Sequence, residues 1–508
     1  LRISARPLGD TLGDLTLLAD LSGSPHRMGD WSGELYLRWQ GQDLAQLLRG
    51  RLPAGLAIAS ERVDIESWSR LDTGRPVSAL TRLELGGVLL RRQPAPDRKG
   101  GNGDFDLGDV GLLAAWQPTA DGWQLQLKDV ALVGSKLPRA TLDFDRLSAT
   151  AKDAPDTPRQ RLSGTVRSLP LAILPRLAPM AAMLLDQPPS ATQGLRRFDL
   201  AGQARDLRYQ LDLGARAGST DSANKSPTRA LDHKLSGAPA RSTMDWQVQG
   251  AIDGLRIDQC SPEPGSDAEA RACTQRRTRL DGLDLIFEAG PGGGYVGLDG
   301  RSVKLDPTPA LGGKLDLTTL SGDLQWRLDA DGVLDLWADA VTADTADIDT
   351  ETSLKAQLYT FGASPVIDLH TRLEDGRPGN YDTLGNYLPV GIMDDGLERW
   401  LLRAIRAGTL TSGEVGFHGR LRDFPNDCGN GHFALTLNLS GGELDYLPPR
   451  QAPDDTVLTD AERATLLGWP PIRDVDASIR FLDRALTIDV TRGALRNTRL
   501  TSGSASIE

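Results

Sequence analysis

Catalysis and metal binding need particular side chains at particular spacings, and this chain of 508 residues offers few. Its five histidines, His26, His233, His370, His418 and His432, are scattered, with no metal-ligand spacing among themselves or with the cysteines. The stretch Gly292-Gly293-Gly294-Tyr295-Val296-Gly297 satisfies the letters of a dinucleotide fingerprint, but Leu298 to Val303 after it reads as a turn and a strand where a helix is required, so a tight turn is expected. Asp329-Ala330-Asp331-Gly332 hints at a calcium loop. Arg327 would stand at the first ligand position and no Glu follows at the right offset, so a hairpin turn is the better reading. Carboxylates are too abundant for any pair of them to signal glycoside hydrolysis, and neither a nucleophile elbow nor a P-loop occurs. The expectation is a protein that is not an enzyme and uses no cofactor and no metal.

Three cysteines cannot all pair with one another. Cys260 and Cys273 flank a polar stretch of loop length that suits a local disulfide in an oxidising compartment, leaving Cys428 single; reduced thiols are the alternative. With 69 acidic against 57 basic residues the net charge is −12, which repels a phosphate backbone, so no nucleic acid is expected as a partner. No apolar run approaches the roughly 18 to 20 residues that span a bilayer, and Leu1 to Leu8 carry no signal-peptide pattern. The chain opens without Met and stops at Ser504-Ala505-Ser506-Ile507-Glu508 in strand-like sequence, so a fragment is expected, with any anchor outside it.

The elements that would position side chains are overwhelmingly strands. Apolar residues alternate with polar ones over short runs from end to end: Leu35-Leu37-Trp39, Trp123-Leu125-Leu127, Leu142-Phe144, Trp246-Val248, Leu283-Leu285-Phe287, Leu324-Trp326-Leu328, Leu334-Leu336, Leu435-Leu437-Leu439, Val475-Ala477-Ile479-Phe481 and Leu486-Ile488-Val490. Turn signals such as Asp121-Gly122, Asp331-Gly332 and Gly441-Gly442 separate them. With 55 Gly, 31 Pro and 5% aromatics, the composition favours short strands over long helices. A mainly β fold is expected, a meander of antiparallel strands with one wet face. Helices are expected only at Leu169 to Leu185 (broken by Pro), Asp43 to Leu48, Asp394 to Ala407 with Gly408 ending it, and Asp460 to Leu467 behind the capping box Thr459-x-x-Glu462. Pro94 to Asp104, Ala215 to Ser242 and Gln259 to Arg277 read as insertions without periodicity.

About 25 strands at ~4.8 Å spacing unroll to roughly 120 Å, and four short helices cannot cover the apolar side of such a sheet. It must close on itself, pack on a second sheet, or curl into a trough with apolar contents.

From Tyr387 onward the words become specific: Tyr387-Leu388-Pro389, Trp400-Leu401 with Ala404, Gly408, Gly413 and Gly419 leading to Asp423-Phe424-Pro425, then Leu444-Asp445-Tyr446 and Gly468-Trp469-Pro470-Pro471-Ile472 before Asp474, Asp476 and Phe481. Upstream, Leu169-Pro170-Leu171 and Leu320-Ser321-Gly322 before Leu324-x-Trp326 fit the same pattern. This set resembles the YhdP branch of the AsmA-like envelope proteins of Gram-negative bacteria, with Leu1 to Thr150 matching in strand style alone. The resemblance implies a long curled antiparallel β-sheet forming an elongated hydrophobic groove. It also implies phospholipid transport between inner and outer membranes by the periplasmic segment of an inner-membrane-anchored protein. It divides the chain into an N-terminal groove segment (1–150), a central region (151–440) and the start of a C-terminal region (441–508). The expected lining of the groove is Leu324, Trp326, Leu328, Leu334, Leu336, Leu435, Leu437, Leu439, Ile479, Phe481, Ile488 and Val490, with the Trp400 helix as a lid or plug on one groove edge. The alternatives are an adhesive β-solenoid or β-sandwich scaffold with a closed core, and a polysaccharide-acting β-helix enzyme, which the low aromatic content disfavours.

Overall fold

Every second residue of a strand faces the same way, so the alternation above commits each run to one apolar and one polar side, and hydrogen bonding to a neighbour makes the sheet. In a computed structural model of the chain, the residues described are 2–5, 13–24, 26–42, 56–92, 104–120, 122–133, 140–152, 159–175, 177–178, 180, 198–213, 244–259, 278–307, 311–329, 333–359, 364–376, 385–387, 395–420, 431–445, 470–483 and 485–507. They form two compact units. The first holds 1–253 with 288–291, the second 254–287 with 292–508.

The first unit contains β1 (Arg2–Ala5), β2 (Asp14–Ser22), β3 (Ser32–Gly41), β4 (Leu56–Ala59), β5 (Arg62–Asp72), β6 (Arg75–Arg92), β7 (Asp104–Thr119), β8 (Gly122–Val133), β9 (Ala140–Lys152), β10 (Arg159–Pro170) and β11 (Asp199–Leu213). Pairing is antiparallel from β1 through β2, β3, β5, β6, β7, β8, β9 and β10 to β11, with β4 beside the end of β6. The residues of β12 (Met244–Gln259) and β13 (Thr278–Gly290) are shared between the two units.

The second unit continues with β14 (Gly293–Pro307), β15 (Leu315–Leu328), β16 (Val333–Thr345), β17 (Asp349–Tyr359), β18 (Val366–Gly376), helix α1 (Asp395–Ala404), β19 (Ile405–Arg420), β20 (His432–Leu444), β21 (Ile472–Leu482), β22 (Ala485–Leu495), β23 (Thr498–Leu500) and β24 (Gly503–Ile507). Here too each strand pairs antiparallel with the next, β23 and β24 both returning to β22. The mainly β, antiparallel expectation holds, and the runs of alternation fall on strands throughout.

The strands are longer than composition suggests, up to the 18 residues of β6. The reason lies in glycines and aspartates that look like turn residues and instead sit inside strands. Gly441-Gly442, expected to separate two strands, lies within β20 at a register shift. Gly441 has φ +64, and the same left-handed backbone recurs at Gly87, Asp129, Asp206, Gly254, Gly282, Ser302 and Asp474. Such residues mark β-bulges, which bend a strand without ending it.

The position after the bend is equally regular. Val88, Val130, Leu207, Leu255, Leu283, Val303 and Val475, each next along the chain from a left-handed residue, are all at least nine-tenths buried. The side chain that follows each bulge is removed from solvent, and in each unit these residues are among the most buried of the molecule. A second regularity holds the bends. The amide of Gly87 donates to Asp109 Oδ1 (3.0 Å), that of Gly254 to Asp284 Oδ1 (2.6 Å) and that of Gly441 to Asp476 Oδ1 (3.0 Å), so a carboxylate elsewhere in the sheet satisfies the backbone N–H that the bulge takes out of register.

Helices are few, as expected, with one boundary corrected. α1 ends at Ala404, three residues before the expected end, because Ile405 begins β19 opposite Leu444. Gly408 is therefore no helix terminator: it lies in the strand at φ +148, where an added Cβ would stand 3.3 Å from the Gly442 Cα. Leu169 and Pro170 close β10, a 3-10 turn spans Leu171–Ile173, and residues 174–175, 177–178 and 180 are helical. Ile173, fully buried, packs on Val130 and Leu132. The expected helices at 43–48 and 460–467, the interiors of the three insertions, and Cys260, Cys273 and Cys428 lie outside the described residues.

Candidate functional site

Directly paired residues of an antiparallel sheet project to the same side, so register decides which apolar residues share a face. In the second unit Trp326 stands opposite Leu336, which stands opposite Ala356, which stands opposite Ile367. Two residues along β18, Leu369 is opposite Phe417, and Phe417 is opposite Phe433. Leu435 then faces Phe481, Leu437 faces Ile479, Ile479 faces Ile488, and Ala477 faces Val490. Following these pairs with the period of two along each strand places all twelve expected lining residues on one face. Leu324 shares the side of Trp326, Leu328 is opposite Leu334, and Leu439 is opposite Ala477.

None of the twelve is fully buried. Leu328 is 44% exposed and the other eleven are half-buried. Among the described residues the fully buried apolar side chains include those that follow the bulges, along with Ile173 and Ala404; of the bulge residues the alternating runs contain Leu283 and Val475 but not Val88, Val130, Leu207, Leu255 or Val303. Their signal was present in the sequence: a Gly, Asp or Ser followed at once by Val or Leu, as in Lys128-Asp129-Val130, Asp281-Gly282-Leu283 and Arg473-Asp474-Val475.

The apolar face contains a few hydroxyls, and their hydrogen bonds are spent on one another. Thr352 Oγ1 and Thr371 Oγ1, a cross-strand pair, are 3.0 Å apart, and in the first unit, on the side that carries Leu37 and Leu83, Ser67 Oγ and Thr81 Oγ1 are 2.9 Å apart. A hydroxyl satisfied in this way does not demand water. Small residues leave room beside large ones: an added Cβ at Gly413 would lie 3.0 Å from Leu437 Cδ2 and 3.1 Å from Leu373 Cδ1. Phe433 and Phe481 meet edge to face with centroids 5.9 Å apart.

The opposite face is charged and paired. Arg327 reaches Asp335 at 2.9 Å, Arg480 and Arg492 bind Asp489 and Asp476, and Thr436, expected on this wet side, stands opposite Glu414 and Arg480. Asp476 accepts from the Gly441 amide, Ser440 Oγ (2.9 Å) and Arg492, and these contacts hold its carboxyl below the ordinary range. Asp489 is lowered in the same way, first by Ser504 and then by Arg480.

Around α1 the chain is anchored by polar contacts. Ala404 is fully buried, its carbonyl accepts from the Asp445 amide (2.7 Å), and Trp400, Leu401 and Leu402 are half-buried. Tyr387 Oη donates to Asp347 Oδ2 at 3.2 Å and lies 3.0 Å from Thr345 Oγ1; burial above all raises its pKa.

Among the described residues no group of three or more His, Cys, Asp or Glu is placed to hold a metal ion, and no helix is long and apolar enough to cross a membrane. Gly292 lies in a tight turn before β14, as expected, and Gly293 has φ +151 with an added Cβ only 2.3 Å from the Trp326 carbonyl oxygen. Asp329 closes its hairpin by accepting from the Val333 amide through Oδ1 (2.8 Å).

No curated protein and no solved structure matches the chain. A family model does: the one described as YhdP protein matches residues 2–508, which takes in the first 150 residues that resembled the family in strand style alone. With antiparallel sheet throughout the described residues, an apolar face followed from β15 to β22 in the second unit, and a match of this extent, the chain belongs to the YhdP protein family.

Proposed function

We propose that this chain carries phospholipids, holding their acyl chains against the apolar face while the head groups stay in water, and that it does so without catalysis. The observation that carries this reading is the half-buried state of Leu324, Trp326, Leu334, Leu336, Leu435, Leu437, Leu439, Ile479, Phe481, Ile488 and Val490 on one face. A closed sandwich core would bury such residues almost completely, as the bends bury Val303 and Val88. Each acyl CH₂ kept from water is worth about 0.8 kcal/mol, so a two-chain lipid crosses an aqueous gap slowly unless its tails stay in apolar surroundings. Rows of similar apolar residues repeat at the strand spacing of ~4.8 Å, which gives a lipid nearly equivalent neighbouring positions to slide between. No nucleotide and no specific pocket is required for each step.

In this reading the chain is a periplasmic segment of an inner-membrane-anchored protein, and its cargo moves between the inner and outer membranes. Family membership supports lipid transport as the activity. The test is native mass spectrometry and lipid extraction of the purified chain. Co-purifying phospholipid is the expected result; a lipid-free, fully stable protein that takes up none from vesicles overturns the proposal in favour of a scaffold.

A further inference from the structure

The wet face of the first unit carries an apolar row where charge is the rule. Leu18, Tyr36, Trp68 and Leu80 stand directly opposite one another across β2, β3, β5 and β6, on the side away from Leu17, Leu37 and Leu83. Leu18 is 38% exposed and Trp68 and Leu80 are each 41% exposed. The rings of Tyr36 and Trp68 lie 5.5 Å apart at 52°. Leu18, Tyr36 and Trp68 line an open concavity of about 490 Å³ whose rim includes Asp20, Glu34 and Arg70.

The two flanks of the row differ in charge. On one, Arg38 pairs with Asp64 (3.1 Å) and Arg82 with Glu66 (3.5 Å), and Tyr36 Oη donates to Glu66 (2.7 Å), so the charges are compensated within the sheet. On the other, Asp20 stands opposite Glu34 and Glu34 opposite Arg70, two acids to one base, and among the described residues neither carboxylate has an ion pair or a side-chain hydrogen bond. Like charges on neighbouring strands repel, and a cation laid beside them relieves that repulsion. Tyr36 and Trp68 add aromatic faces that attract cations and large apolar contact area at little entropic cost.

The geometry points to a docking site for a polypeptide segment of another protein, one that sets apolar side chains on Trp68 and Leu18 and a Lys or Arg against Asp20 and Glu34. The row spans four adjacent strands, roughly 14 Å at the strand spacing, which suits a short peptide better than a small amine. An anionic bilayer is disfavoured by the same two acids, and exposed Trp, Tyr and Arg are the side chains that concentrate binding energy between proteins. The site shares no residue with the lipid-carrying face of the second unit, so the two proposals stand or fall separately.

The test uses the whole chain and two labelled synthetic peptides, one alternating Leu with Arg and the other alternating Leu with Glu, read by fluorescence anisotropy. The Leu/Arg peptide is expected to bind, and the Leu/Glu peptide to bind at least about tenfold more weakly. Trp68→Ala should weaken the Leu/Arg peptide by about tenfold or more, and Glu34→Lys should remove the preference for it, with co-purified lipid unchanged in both. Equal binding of the two peptides, binding that survives both substitutions, or anionic vesicles captured through Trp68 in place of the peptide would each overturn the inference.

Discussion

Single positions on these sheets differ in what they are exposed to, and neighbours can be played against each other. Leu437 lies on the apolar face opposite Gly413 and Ile479, whereas Thr436 beside it lies on the charged face opposite Glu414 and Arg480. Leu437→Asp is expected to abolish lipid retention, and Thr436→Asp to leave it intact, as measured by lipid extraction; equal effects would refute the assignment of faces. The bends and the open face differ in stability instead. Val303 is fully buried behind Ser302, so Val303→Ala should lower the unfolding free energy by about 2 kcal/mol. Leu328→Ala, at a residue 44% exposed, should change it by less than about 0.5 kcal/mol in urea titrations of the delipidated chain.

At the scale of elements the bulges decide how each strand runs, and Asp476 holds one of them by binding the amide of Gly441, the hydroxyl of Ser440 and the guanidinium of Arg492. Because these contacts depress its folded pKa, the stabilisation is complete above the ordinary carboxylate range and is lost as pH falls through the depressed value. The urea midpoint should therefore drop between about pH 5 and pH 2, and Asp476→Asn should flatten that part of the profile. A midpoint profile identical in the variant would show that the carboxylate does not hold the bend. Helix α1 makes its own prediction. Ala404 is fully buried, so Ala404→Leu should cost about 1–3 kcal/mol and hasten trypsin cleavage at Arg399 and Arg403.

For the molecule as a whole, the lipid-carrying function proposed above ties stability to cargo. Phospholipid bound to the folded chain alone stabilises it by mass action, about 2.7 kcal/mol at a free concentration one hundred times Kd. Delipidated protein should melt at a lower temperature than the protein as purified, and adding phospholipid should restore the difference in a concentration-dependent manner. A melting temperature indifferent to lipid would mean that the exposed leucines need no partner. In either unit the sheet itself should persist, since its hydrogen bonds and bends do not depend on an occupant.

Much of this was legible in the residues. Leu435-Leu437-Leu439 against polar Thr436 and Asn438 could only be a strand with two unlike faces, and a one-residue slip would have put every leucine in water. The mainly β class, the scarcity of helix and the twelve residues on one face all came from that period of two. Gly441, Asp474 and Ile405 were not legible in the same way. A glycine pair marks a hairpin or a bulge with the same letters, and only a neighbouring strand with a carboxylate at the right register, Asp476, makes it a bend inside a longer strand. Likewise Ile405 continues the periodicity of α1, yet pairing with Leu444 claims it for β19, because a hydrogen-bonded neighbour outweighs the propensity of one turn. Alternation determined which side chains share a face; register between distant strands decided which of them are sealed at a bend and which stay open, since burial depends on what lies across the sheet.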